Sequence, residues 1–116
     1  MNENLKSGRE RRIYPRIRQQ LPLKVAADGY SFATSTQDVS CIGAYCQIAK
    51  YIPPFTKVMV KLDLPKAAME CTGVIVRTDD KEDKFNIAIF FNQITETQRN
   101  RISRYLNRFL PQEAAA

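Results

Sequence analysis

Apolar and polar positions alternate along most of this chain and divide it into short strands and one terminal helix. Leu21, Leu23 and Val25 alternate with Pro22, Lys24 and Ala26, a period of two that predicts a half-buried strand. Asp28-Gly29 supplies a hairpin turn, and the return strand runs from Tyr30 to about Gln37. Gly43 to Ile48 reads as a third strand, and Pro53-Pro54 marks a loop. Val58, Val60, Leu62 and Leu64 give a fourth strand, which Pro65 ends. A fifth runs from about Met69 to Arg77, and its interior Gly73 predicts a bulge or sharp bend. Asp79 to Lys84 reads as a solvated loop of charges. Phe85, Ile87, Ile89 and Phe91 then alternate with Asn86, Ala88, Phe90 and Asn92 in a sixth strand.

The period then changes. Thr95 with Gln98 fits a capping box, and Ile102, Tyr105, Leu106, Phe109 and Leu110 fall on one stripe of a helix that Pro111 stops. Arg99, Arg101, Arg104 and Arg108 occupy its other sides and read as a solvated face. Six short strands at near-regular spacing predict a mainly β fold, a closed or nearly closed antiparallel barrel. The helix is expected to pack its stripe on the barrel surface or to cover an open end. Residues 1–10 are polar, carry Gly8 and show no apolar period, so they read as a flexible tail. Residues 11–116 read as a single domain.

Composition removes several function classes. A chain of 116 residues can bury a core without metals or disulfides. No apolar run is long enough to span a membrane, and the polar N-terminus does not read as a signal peptide, so a cytoplasmic location is expected. Cys41, Cys46 and Cys71 are an odd number without Cys-x-x-Cys spacing and read as free thiols. The chain contains no His. That removes His-based triads, the usual neutral-pH general base and the commonest zinc ligand. No metal site and no enzymatic activity are expected; a binding module is.

Charge indicates what is bound. Residues 1–20 carry six basic and two acidic side chains, residues 21–94 carry eight of each, and residues 95–116 carry four and two. The excess therefore sits at the ends, chiefly in the N-terminal arm, and implies an anionic partner. Two stretches carry the candidate chemistry. In Asp38-Val39-Ser40-Cys41-Ile42-Gly43, Asp and Ser side chains can bond nearby backbone N–H groups and hold a corner. Gly43 can take a positive φ or admit a close approach. In Arg11-Arg12-Ile13-Tyr14-Pro15-Arg16, Pro15 disfavours a helix at Tyr14, so Arg12 and Arg16 project from an extended or turned segment. The arginines and the corner are expected to close on one anionic ligand. Tyr45 and Phe32 read as core residues.

Together the two stretches resemble the paired signature of PilZ domains, Arg-x-x-x-Arg followed by Asp or Asn-x-Ser-x-x-Gly. The resemblance extends over nearly the whole chain, strand order and terminal helix included. Ala88 departs from it, since many relatives have glycine at that place, and the consequence expected is for packing. The resemblance implies a bacterial receptor for the second messenger cyclic di-GMP, with Arg11, Arg12, Arg16, Asp38, Ser40 and Gly43 as ligand-binding residues and Arg9 and Arg77 as secondary candidates. Guanine O6 and N7 accept an arginine fork, arginine also matches phosphate oxygens, and one carboxylate can meet guanine N1–H and N2–H. Arg11 can stack on a guanine face, and the arm's charge suits a self-stacked pair of ligands, so two molecules per chain are expected. No further cofactor is implied.

The receptor is expected to pass its signal, through ordering of the arm, to a downstream protein. An adaptor of the same fold that works without nucleotide is a second reading. A small basic barrel that binds RNA or single-stranded DNA is a third. It would require exposed aromatic residues on one sheet face, whereas the aromatics here fall mostly on inferred core positions, so no nucleic-acid partner is expected.

Overall fold

The computed structural model describes residues 15–110. The expected tail (residues 1–10), Arg9, Arg11, Arg12 and the stop at Pro111 lie outside the described residues. Six antiparallel strands form a closed barrel: β1 (Pro22–Ala27), β2 (Tyr30–Ser40), β3 (Gly43–Ile48), β4 (Lys57–Asp63), β5 (Ala68–Lys81) and β6 (Lys84–Gln93). Around the barrel the order is β1-β2-β3-β6-β5-β4, and β4 pairs with β1 to close it. The period-two positions behave as their pattern predicts. Leu23 and Val25 of β1 and Val58, Val60 and Leu62 of β4 point inward and are buried, with the intervening lysines exposed. Gly29, at φ 83°, makes the β1–β2 turn.

Three strands run further than their composition indicates. β2 continues through Asp38 to Ser40, and the turn to β3 is only Cys41-Ile42. β5 and β6 continue into the charged stretch, where Asp79 pairs with Asn86, Asp80 with Phe85 and Lys81 with Lys84. The expected loop is thus a tight hairpin turning at Glu82-Asp83, with Glu82 at φ 59°. Charged side chains do not end a strand when the backbone keeps its ladder and the side chains reach water.

Two β-bulges position the outer face. The register between β2 and β3 slips between Thr36 and Asp38, so Gln37 is the unpaired extra residue. Before it, Phe32, Thr34 and Thr36 face inward; after it, Val39 does, at zero exposure. A second slip lies between Ile75 and Arg77 and makes Val76 the extra residue in β5. Without these insertions, strict alternation would turn Asp38 and Arg77 toward the core. A third irregularity lies opposite Gly73, as expected, but the extra residue belongs to β6.

The terminal helix α1 (Glu96–Leu106) opens with the expected capping box. Thr95 Oγ1 accepts from the Gln98 N–H at 3.1 Å, and Gln98 Oε1 accepts from the Thr95 N–H at 3.1 Å. α-Helical pairing stops at Leu106, earlier than the stripe implies, and Asn107–Phe109 form a 3-10 turn. Ile102 and Leu106 join the buried cluster of the barrel, each contributing roughly 1.5–3 kcal/mol through burial. Gln98 Nε2 donates to the Glu70 carbonyl and Arg101 Nη2 to that of Ala67, so α1 sits at the end where β4 turns into β5. Among the described residues no helix is long and apolar enough to cross a membrane.

Candidate functional site

The base of the N-terminal arm is tied to β2. Ile17 exchanges backbone hydrogen bonds with Val39, at 2.9 and 3.0 Å. The Leu21 N–H donates to Thr36 Oγ1, and the Thr36 N–H donates to the Leu21 carbonyl. This anchorage places Arg16 beside Asp38. Arg16 Nε lies 3.3 Å from Asp38 Oδ1, and its Nη2 donates to Oδ2 at 3.4 Å. The Arg16 side chain is 72% exposed, so its guanidinium is oriented by the carboxylate yet remains open to another anion.

Pairing across the sheet extends this contact into a row. Asp38 pairs with Tyr45, Tyr45 with Ala88 and Ala88 with Arg77, across β2, β3, β6 and β5. At the far end Arg77 Nε lies 3.0 Å from Asp79 Oδ2, and its guanidinium lies 5.5 Å from the centre of the Tyr45 ring. The Tyr45 hydroxyl donates to the same Asp79 oxygen at 3.4 Å. The Arg77 pKa is raised, through Tyr45 first and the Asp79 carboxylate second, so its charge is secure. Above the row is a shallow pocket of about 240 Å³, bounded by both arginines, Asp38, Tyr45, Gly43 and Phe90.

The turn after β2 shapes the pocket's edge. Ser40 is buried, and its Oγ accepts the Ile42 N–H at 3.2 Å, which leaves its own O–H free to donate. Gly43 has no positive φ. Its role is close approach: a Cβ there would lie 2.5 Å from the Ile89 carbonyl oxygen of β6. Glycine at this place is thus required by barrel packing.

Arg16, Asp38, Ser40, Gly43 and Arg77 are therefore brought together on one pocket, while Arg9, Arg11 and Arg12 lie outside the described residues. Tyr45 is a correction: it sits on the outer face between two charged pairs, not in the core. Its signal was present, since Ala44, Cys46 and Ile48 take the inward positions of β3. Asp79 was missed because it reads as one of a run of loop charges. Val76 and Phe90 are about half exposed beside the pocket, and Phe55 and Tyr51 are more exposed still, so the aromatics are less confined to the core than their alternation indicates. Cys41, Cys46 and Cys71 are free thiols. Burial pushes Cys46 up to about 12 and Cys71 up to about 11, so neither is a nucleophile at neutral pH. Among the described residues no group of acidic and cysteine side chains could hold a metal ion.

The outer face of this small closed barrel thus carries a row of arginine and aspartate side chains, and comparison with known proteins gives the chain a family. The family model for the PilZ domain matches residues 10–108, and the chain belongs to that family. No curated protein matches. The fold is similar to Bacillus subtilis MotI/DgrA, an inhibitor of motility, with a TM-score of 0.74 and 17% identity over 83% of this chain and 49% of that one. It is similar to the PilZ domain of Escherichia coli YcgR with c-di-GMP, with a TM-score of 0.67 and 13% identity over 88% of this chain and 95% of that one. It is also similar to the K. pneumonia MrkH–c-di-GMP complex, with a TM-score of 0.68 and 15% identity over 83% of this chain and 50% of that one. The chain thus spans about half the length of MotI/DgrA and MrkH and nearly all of the YcgR domain.

Proposed function

We propose that this protein is a cyclic di-GMP receptor that binds the dinucleotide over the Asp38–Tyr45–Ala88–Arg77 row, beneath the N-terminal arm. The observation that carries the reading is the Arg16–Asp38 pair, exposed on the arginine side, at the edge of the pocket. Arg16 turns toward a phosphate or a guanine O6/N7 edge, where charge-assisted bonds are the strongest available. Asp38 accepts from guanine N1–H and N2–H. The Ser40 hydroxyl, already an acceptor for Ile42, donates to a phosphate or base edge. Arg77 offers a planar cation at the opposite end. Arg11 and Arg12, with Arg9, close from the arm side, and ordering of that arm passes the signal to a protein partner. The arm's excess of positive charge favours two stacked ligands per chain, with Arg11 against a guanine face. YcgR and MrkH, similar in fold, have been solved with this dinucleotide, which supports the choice of ligand.

Calorimetric titration with cyclic di-GMP tests the reading. The expected Kd is near one micromolar, about −8 kcal/mol. Cyclic di-AMP presents an N6 donor where guanine has its O6 acceptor, and should bind far more weakly. Equal binding of both dinucleotides would remove the guanine-reading roles of Arg16 and Asp38. A stoichiometry of one ligand in both wild type and Arg11→Leu would remove the stacked pair and leave the receptor reading standing.

A further inference from the structure

We propose that the groove between α1 and the β4–β5 connection docks an acidic segment of a partner protein, one with an apolar anchor residue set among its carboxylates. The groove shares no residue with the Asp38 pocket. Its volume is about 210 Å³, room for a side chain of ordinary size, and Lys66, Arg101, Arg104 and Arg108 surround it. Lys66 comes from the β4–β5 connection and the three arginines from α1 and the turn after it. Helical spacing alone makes those arginines solvated charges; the packing of α1 against the barrel end turns them to one cleft. No acidic residue is among the described residues that line it. Arg101 is held in the wall by its bond to the Ala67 carbonyl at 3.2 Å.

The lining also sets the class of partner. Leu64 and Pro65 give the groove an apolar part that a purely charged ligand would leave unused. Tyr105 contributes a ring that is already engaged: Arg108 lies over it at 5.7 Å and Phe109 packs edge-on at 5.3 Å. A nucleobase needs a free aromatic face on which to stack, and this ring is packed from both neighbours. An aliphatic or aromatic side chain needs only the cleft, and carboxylates beside it meet guanidinium forks. An apolar anchor seated in a pocket within a polar rim is a common composition of a protein interface.

The probe is a fluorescein-labelled peptide, Asp-Glu-Glu-Leu-Phe-Glu-Asp-Glu, titrated with full-length protein by anisotropy at low ionic strength and without nucleotide. Saturable binding is expected that weakens as salt rises and falls about tenfold or more in the Arg104→Glu/Arg108→Glu variant. That variant should keep wild-type melting and wild-type cyclic di-GMP binding, since both side chains are exposed and lie outside the Asp38 pocket. Lys66→Glu, on the opposite wall, gives an independent loss should the double variant not fold. The same peptide with Ser-Ser in place of Leu-Phe should bind several-fold more weakly. No binding of the probe, equal binding by the charge-reversed variants, or equal binding of the Ser-Ser peptide overturns the proposal. So does a thymidine oligonucleotide that binds more tightly than the peptide and loses that binding in the charge-reversed variants, which would make the groove a nucleic-acid face. Because no nucleotide is present, failure here leaves the cyclic di-GMP reading untouched.

Discussion

The pocket on the outer face of β2, β3, β6 and β5 and the groove beside α1 both collect cations, but they hold them differently. In the pocket each arginine lies beside a carboxylate, Arg16 beside Asp38 and Arg77 beside Asp79. In the groove no acidic residue is among the described residues that line the wall. A paired arginine is oriented and only partly neutralised, which suits a ligand whose donors and acceptors must be matched one by one. Cations without a carboxylate among their described neighbours attract any anion and leave discrimination to shape and apolar contact. Selectivity is therefore expected at the pocket, and salt sensitivity at the groove.

The largest effect should come from breaking the pocket's oriented pair. Arg16→Ala is expected to weaken cyclic di-GMP binding roughly tenfold to a hundredfold, since a hydrogen bond to a charged group contributes about 1.5–3 kcal/mol. Stability should barely change, because an exposed ion pair contributes about 0.2–1 kcal/mol. Calorimetry and a melting curve on the same sample separate the two. If Arg16→Ala unfolds the protein, the arginine is structural and the contrast with the groove fails.

Gly43→Ala should act through the fold. The new Cβ would lie 2.5 Å from the Ile89 carbonyl oxygen, and forcing β3 from β6 is expected to cost about 1–3 kcal/mol. Chemical denaturation reads this directly, and ligand binding should fall only as the barrel loosens. A Gly43→Ala protein of unchanged stability that no longer binds would instead place the ligand against the glycine.

A smaller effect tests the far end of the row. Arg77→Ala should weaken the dinucleotide about twofold to fivefold, the loss expected of one exposed cation against a ring or base. Tyr45→Phe keeps the ring and removes the hydroxyl that donates to Asp79, so its effect should be smaller still. If Arg77→Ala matches Arg16→Ala in severity, both ends of the row carry equal weight. The least effect is expected from the thiols. At about pH 8 an alkylating reagent should leave Cys46 unreacted and Cys71 slow, with binding at both surfaces unchanged. Folding raises these thiols from their ordinary 9.0 to about 12 and about 11, so stability is unaffected at neutral pH and falls as pH rises from 9.0 toward those values, where only the unfolded thiols have lost their protons.

Much of the barrel was legible because its information is local. Alternation over Leu21–Val25 and Val58–Leu64, the Asp28-Gly29 turn and the Thr95–Gln98 box each act within a few residues, and each appears in the fold. The two motifs singled out Arg16 and Asp38 as residues of one site, but their direct contact with each other comes from the anchorage of Ile17 on Val39. The charged hairpin at Glu82-Asp83 was not, since ladder pairing with β6 outweighs the low strand preference of its residues. Nor was the outward turn of Tyr45 read, although alternation within β3 contained it.

The sequence by itself determined the elements, their order and the residue types available for binding, since periodicity, turn chemistry and capping are properties of short stretches. Only the tertiary structure decided where the alternation slips and which distant residues meet. Gln37 and Val76 become extra residues only relative to the strands paired with them, and those two insertions turn Asp38 and Arg77 outward into one row. Lys66 joins Arg104 and Arg108 only because Ile102 and Leu106 are buried against the barrel. Register and packing depend on partners far along the chain, and no local pattern encodes them.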